Sequence, residues 1–504
     1  MRATYEHPRA AEYRRPGGPW DAPSLDELLT RAGRLSRGEV LLDPSAGVRM
    51  SWPELDDLVS RVAGGLRAHG VRRGDVVAWQ APNWYEVVVL YRACWRIGAV
   101  AAPVHHQAGA TEVDRMLSQV DPKLVLSRDD VRGPRSRFAQ LAAAAPYRVS
   151  AARPADLAVA LFTSGSTGGP KAVLHTQRGL AYKGRVMTRC HGLAMGDSIL
   201  MPAPLAHVSG LLNAVLIPGL VPMKAALMAN WVPDDALAHI AGESITFMIG
   251  PPTFFVSLMG AAGFDRAKVE SLRLVSSGGA GVTPAFVTEA AHRLSARVKR
   301  TYGSTEAPTV TTSFAGDPDE QARATDGRST GGAELRVTDP SNARAVAPGQ
   351  VGELWLRGPE LFVGYVDAKQ TRDSVVRGWF RTGDLATVDR GGWLTIVGRM
   401  KDVIIRGGEN IAAAEVESIL ESHPSIRQAV AVGMPDARLG ERVCAFVIAD
   451  DDFDLAAARE LFDGAGVAKF KTPERVERVD ELPLLAAGKI DRAALRERAK
   501  QLNP

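Results

Sequence analysis

The sequence predicts an α/β protein. It reads as a large N-terminal domain of layered α/β subdomains with a small β-barrel, followed by a separate α+β domain. Three observations carry this reading. Strand-like and helix-like segments alternate through residues 75–162, the pattern of parallel α/β layers. After about residue 310 the segments become short strands separated by Gly, Pro and Asp. From about residue 402 a third texture appears, long enough for a domain of roughly 100 residues, with the boundary near Lys401.

The elements follow in order. Asp75–Trp79 is a short apolar strand, and Trp84–Ile97 is a helical run that stops near Gly98. Ala99–Val104, Lys123–Ser127 and Leu157–Phe162 continue as strands. Glu334–Val337, Gly352–Arg357 and Trp393–Val397 alternate in polarity and suit an antiparallel sheet or small barrel. In the last part, Ala412–His423 is an amphipathic helix, Ala429–Gly433 and Val443–Ala449 are strands, and Leu455–Gly464 is a second helix. The division is therefore 1–400 and 402–504.

The bulk composition fits. A chain of 504 residues exceeds one compact core, and 45% apolar with 23% charged residues is an ordinary globular balance. Cys94, Cys190 and Cys444 are too scattered for a disulfide framework or zinc site, so a reducing, cytoplasmic setting is expected. A net charge of +4 is no nucleic-acid footprint. The most apolar stretch, Leu211–Asn230, contains Pro218, Pro222 and Lys224 and reads as a buried helix and strand, so no integral membrane association is expected. The tail arginines Arg2, Arg9, Arg14 and Arg15 accompany no apolar run of a signal peptide.

The chemistry concentrates in a loop after the 157–162 strand. Thr163, Ser164, Gly165, Ser166, Thr167, Gly168 and Gly169 place four hydroxyl residues and three glycines in seven positions, and Lys171 follows. Glycines let backbone N–H groups approach a phosphate chain, hydroxyls add donors, and the lysine adds charge. The spacing is not that of a Walker A loop. Taken alone, such a loop is more often a simple turn.

It is not alone. The loop and six further segments, in order, resemble the adenylate-forming superfamily of acyl-CoA synthetases, adenylation domains and luciferases. These are Pro204–Gly210, Ser277–Ala280, Tyr302–Glu306, Gly378–Asp384, Gly398–Asp402 with Gly407–Ile411, and Gly488–Asp491. The resemblance covers essentially the whole chain and is nearest to acid–CoA ligases of the cyclohexanecarboxylate and fatty-acid type.

The resemblance implies a reaction and a set of roles. A carboxylate attacks the α-phosphate of Mg-ATP, giving acyl-AMP and pyrophosphate. The thiol of CoA then displaces AMP. Two anions must meet in the first step, so cations and phosphate donors should dominate the site. Glu306 is the expected Mg2+ ligand. Thr167 and Thr305 would contact phosphate, within the loop 163–168, Lys171 and the turn Gly303–Ser304. Tyr302 would lie against adenine, which Gly278, Gly279 and Ala280 would let approach the backbone. Asp384 would take the ribose hydroxyls, with Arg399 beside it. Lys489 would bridge carboxylate and phosphate. Lys401 matches the hinge about which the C-terminal domain is mobile, turning Lys489 out and Gly407, Gly408 and Glu409 in to meet CoA. His207 would line or gate the acyl pocket.

Each assignment has a plainer counterpart: a surface acid, a core tyrosine, a turn aspartate, a solvated lysine, an ordinary hairpin. His105–His106 would be a metal pair only with further ligands, and none accompany it in the sequence. Three departures stand out. Ala172 replaces the glycine usual after the loop lysine, Ala413 replaces a frequent proline, and Leu484–Leu485–Ala486 replaces basic and hydroxyl residues before Gly488. The segments expected around the acyl group, 207–213, 250–255 and 307–311, are small or apolar, which suits an uncharged acid tail. The alternatives are a relative that stops at the adenylate or passes it to a carrier protein, and a nucleotide-binding relative without catalysis.

Overall fold

Val76–Gln80 and Val100–Val104 are apolar along nearly their whole length, which fits strands covered on both faces. The structure is a computed structural model that describes residues 1–163, 170–449, 453–485 and 490–502. In it, both strands are central to a five-stranded sheet. The order is Leu124–Leu126, Val76–Gln80, Val100–Val104, Leu157–Thr163, Lys171–Thr176. The first four run parallel and the last is antiparallel. The crossover helix Tyr85–Ile97 is buried along almost its full length. It stops at Gly98, whose φ of +73° is the left-handed conformation glycine adopts without a Cβ clash.

A nine-stranded sheet packs beside the first. Ser198–Met201, Phe247–Gly250, Leu274–Gly278 and Arg297–Tyr302 run parallel at its centre. Their carboxyl ends lie side by side, at the edge where open α/β sheets gather ligands. The short strands Thr311–Thr312 and Arg328–Ser329 still belong to this sheet, so the change of texture at residue 310 precedes the change of sheet. The apolar stretch after residue 210 is a buried π-helical turn Leu211–Leu216, a helical turn Ile217–Leu220 and the strand Lys224–Leu227. No helix among the described residues is long and apolar enough to cross a membrane.

A five-stranded antiparallel sheet follows: Glu334–Thr338, Gly352–Arg357, Trp379–Val388, Val375–Val376 and Leu394–Arg399. Its core holds Leu354, Leu356, Phe362, Phe380 and Leu394. Trp379–Val388 is a strand the sequence pattern hides. Gly383 sits within it at φ +71°, and its pairing slips between Leu385 and Ala386, so the polarity loses its two-residue period.

The last unit is α+β, with strands Val403–Arg406, Glu409–Ala412, Ile426–Asp436, Gly440–Ala449 and Arg475–Arg478 against helices Ala413–Leu420, Leu455–Gly464 and Arg492–Gln501. Its first hairpin pairs Arg406 with Glu409 across Gly407 and Gly408, at φ +58° and +92°. Two positive φ values in a two-residue connection favour glycine at both positions. The N-terminal tail is docked: Thr4 Oγ1 donates to the Tyr365 carbonyl at 2.6 Å, and Arg9 pairs with Glu334 at 2.9 Å.

Candidate active site

The chain ends of the central strands and the edge of the antiparallel sheet bring together most of the expected residues. Tyr302 closes the strand Arg297–Tyr302, and Asp384 lies in Trp379–Val388 directly opposite Arg399 of the next strand. The Tyr302 hydroxyl donates to Asp384 Oδ2 at 2.6 Å, and Arg399 Nε lies 3.0 Å from Oδ1. Asp384 is buried, whereas the Arg399 side chain is half exposed. Burial, then the neighbouring carboxylate, holds the tyrosine hydroxyl well above its ordinary pKa, so it remains a donor. A carboxylate has about four acceptor positions, so these two bonds leave room for two hydroxyls.

A second group centres on Glu306. The Tyr365 hydroxyl donates to Glu306 Oε1 at 2.7 Å, and the Glu306 carbonyl accepts from Phe362 N–H at 2.8 Å. Lys171 Nζ lies 5.3 Å from the centre of the Tyr365 ring, a cation–π distance. Tyr365 thus joins the foot of the 163–171 loop to the expected metal ligand. Burial and Glu306 push its hydroxyl pKa up, which keeps it a donor. Glu306 Oε2 accepts no side-chain hydrogen bond among the described residues, and a single free carboxylate oxygen suits Mg2+.

The ends of the 163–171 loop are pinned. Thr163 and Lys171 are register partners across antiparallel strands. Gln119, from helix Ala110–Val120, donates through Nε2 to the Pro170 carbonyl at 2.9 Å and accepts from Ala172 N–H at 3.2 Å. Ala172 is 1% exposed and packs with Leu174 and Val363, so its methyl belongs to the core. Ser164, Gly165, Ser166, Thr167 and Gly168 lie outside the described residues.

Beyond the loop, His175 donates from Nε2 to the Thr305 carbonyl at 2.7 Å. Burial lowers its pKa to about 4, so the ring is neutral and Nε2 carries the proton. The turn Gly303–Thr305 is closed by Ser304, whose N–H donates to Ala307 and whose hydroxyl accepts from Ala307 N–H. A Cβ at Gly303 would lie 2.3 Å from Thr309 N, and one at Gly278 would lie 2.2 Å from the Thr301 carbonyl. Gly279 has φ +80°. These glycines are required by the protein's own backbone, whatever approaches from outside; Ala280 follows in the same turn.

The expected site did not include three residues that the structure places in it: Gln119, His175 and Tyr365. His175 had a signal: Lys171, Val173 and His175 alternate onto one face of a strand. Tyr365 had one too: it ends Pro359–Tyr365, a further segment that resembles acyl-CoA synthetases. Gln119 had none.

His207 meets the His105–His106 pair. The His105 and His106 rings stack at 4.7 Å, and His105 lies 5.3 Å from His207. Burial, then His106, lowers the His105 pKa to about 4. Among the described residues no three His, Cys, Asp or Glu side chains are grouped to hold a metal ion.

Lys401 sits in the 3-10 turn Met400–Asp402 between the two units. Burial and then Arg399 lower its pKa. Arg496, in the last helix, pairs with Asp402 and reaches the Lys401 carbonyl at 3.4 Å. Gly407 and Gly408 make the tight hairpin described above, and Glu409 begins its second strand. Lys489 lies outside the described residues. Its flanks are tied together: Leu484 pairs with Ile490, and Asp491 N–H donates to the Pro483 carbonyl at 2.7 Å.

The cluster lies on the carboxyl edge of a parallel sheet, where open α/β enzymes gather ligands, and comparison with known proteins supplies the family. Residues 30–366 match the AMP-binding enzyme model and residues 415–489 its C-terminal domain. The chain belongs to this family of adenylate-forming ligases. It is 30% identical to the medium-chain fatty-acid–CoA ligase of Escherichia coli K12, over 98% of this chain and 93% of that one. It is 34% identical to triostin synthetase I of Streptomyces triostinicus, over 97% and 96%. The ATP-bound structure of MatB from Rhodopseudomonas palustris superposes with a TM-score of 0.87 at 28% identity, covering 95% of this chain and all of that one. The family, the two-part α/β architecture and ATP as the nucleotide substrate follow.

Proposed function

We propose that the protein is an AMP-forming acid–CoA ligase. Carboxylate and ATP give acyl-AMP with release of pyrophosphate, and the CoA sulfur then attacks the acyl carbon, releasing AMP. The observation that carries this reading is the Tyr302–Asp384–Arg399 triangle beside the Lys171–Tyr365–Glu306 chain. One is a place for a ribose, the other for phosphates and their counter-ion.

Within this reading Asp384 accepts from the ribose hydroxyls and Tyr302 walls the base. Thr305, held by His175, and loop residues 163–168 face the phosphates. Glu306 and the phosphates would hold Mg2+, which supplies charge neutralisation at the reacting phosphate. Lys489 orients the carboxylate against the α-phosphorus and offsets the repulsion of like charges. At about 4 Å and a partly screened dielectric such a pair is worth roughly 4 kcal/mol gross. The C-terminal unit, residues 402–504, turns about Lys401 between the two steps, bringing Gly407–Glu409 to the CoA thiol.

The acid tail is uncharged in this reading. Lys183, fully buried beside the 307–311 segment, donates to the Thr309 carbonyl at 2.7 Å and lies 3.9 Å from Glu360. Its charge already has a partner. His207 and His105 form the polar end of the acyl pocket.

The test is direct. The protein is incubated with Mg-ATP and a panel of carboxylates, with and without CoA, and products are identified by mass. Thioester and AMP from an uncharged acid support the ligase. Acyl-adenylate that never becomes thioester with any active acid sinks it in favour of an enzyme that stops at the adenylate or serves a carrier protein.

A further inference from the structure

The opposite edge of the nine-stranded sheet holds a cavity. A cavity of about 50 Å3 lies at the amino ends of Leu274–Gly278 and Arg297–Tyr302, away from the carboxyl ends that carry Gly278 and Tyr302. Its walls include Cys190 and His191 at the end of helix Gln177–His191, together with Arg273, Arg297, Lys299 and Phe314.

Two of these side chains are unfinished. Lys299 is 1% exposed, and its ammonium donates to the carbonyls of Cys190 at 3.0 Å and Ser313 at 2.6 Å. An ammonium has three donors, so one is left over. Lys299 makes no ion pair among the described residues, whereas Arg273 is paired with Asp197 at 2.8 Å. Arg297 donates through its two terminal nitrogens to the carbonyls of Ala315 and Asp317 and lies 3.4 Å from Asp319, while its Nε makes no hydrogen bond. His191 is also 1% exposed, and both its ring nitrogens lack a partner, as does the buried Ser313 hydroxyl. A buried cation without a counter-charge and a buried imidazole without a partner are both costly.

One species answers the missing charge and the spare donors of Lys299 and His191. We propose that this cavity binds a compact inorganic anion, held by the Lys299 ammonium and a ring N–H of His191. The anion supplies the missing counter-charge, accepts the spare Lys299 donor and accepts from one His191 ring N–H. Water could fill the hydrogen bonds but not the charge. The electrostatics agree: burial depresses the Lys299 pKa to about 7, and burial with Lys299 nearby depresses that of His191 further, the mark of a cation lacking its partner. The site sits on the strand that ends in Tyr302, so its occupancy stiffens the same strand from the far end.

The experiment uses the full chain. Thermal unfolding is followed against bromide and, separately, inorganic phosphate, with ionic strength held constant by a bulky organic salt. A saturable rise in Tm of about 1–2 °C is expected for the native protein. The rise should vanish in Lys299→Met and shrink in His191→Phe, which fills the space without charge. A response to bromide alone assigns a halide, and one to phosphate alone assigns an oxyanion. Bromide-soaked crystals should show anomalous density between Lys299 and His191. An equal Tm response in native protein and His191→Phe, with no density in the cavity, overturns the proposal even if Lys299→Met does not fold.

Discussion

The Tyr365 hydroxyl donates to Glu306 Oε1 at 2.7 Å, while the ring of the same tyrosine lies 5.3 Å from Lys171 Nζ. One side chain therefore orients the candidate metal ligand and borders the phosphate loop.

Tyr365→Phe keeps the ring and removes the hydrogen bond. A hydrogen bond to a charged group is worth about 1.5–3 kcal/mol, so the Mg2+ concentration for half-maximal activity should rise roughly tenfold or more. Pyrophosphate release measured across a Mg2+ titration checks this. A variant with lower Tm but an unmoved Mg2+ dependence would mean that Tyr365 only packs.

Asp384→Asn keeps the shape and removes the charge. Arg399 loses its partner, and one of the two acceptor oxygens becomes a donor. ATP affinity should weaken by about tenfold to a hundredfold, while the apparent KM for the acid changes little. Equilibrium ATP binding and acid titration separate the two. Unchanged ATP affinity would remove Asp384 from the ribose site.

Lys489→Ala should reduce adenylate formation by at least about a hundredfold and leave thioester formation from supplied acyl-adenylate largely intact. Single-turnover assays of each half-reaction make the comparison. Equal loss of both halves in a folded variant would contradict the two-orientation assignment.

His175 makes a pH prediction whose sign can be worked out. Its pKa falls from 6.5 in the unfolded chain to about 4 when folded. The unfolded state binds more protons between these values, so His175's stabilisation is present above pH 6.5 and is lost as pH falls toward 4. At pH 5 the loss is about 2 kcal/mol. His175→Gln should be less stable than native protein at pH 7, with the gap narrowing at pH 5 in denaturant unfolding. A gap independent of pH would show that His175 does not titrate in this window.

Much of this architecture was legible in the residues. Val76–Gln80 and Val100–Val104 announce a doubly covered sheet because burial on both faces demands continuous apolar runs. Trp379–Val388 was not legible, because Gly383 and a pairing slip erase its period. The site divides likewise. Glu306, Asp384 and Arg399 announce themselves by motif, whereas Gln119 touches the loop only through tertiary packing and leaves no local trace. Gly278 was expected to make room for adenine; the nearest atoms a Cβ there would meet belong to Thr301.

The short stretch 399–402 carries two anchors. Arg399 is paired with Asp384 on one side of it, and Asp402 with Arg496 on the other. Backbone rotation that keeps both pairs is confined to Met400 and Lys401, each with only two soft torsions. In the proposed rotation the join between the units would turn at these two residues while both pairs stay in place.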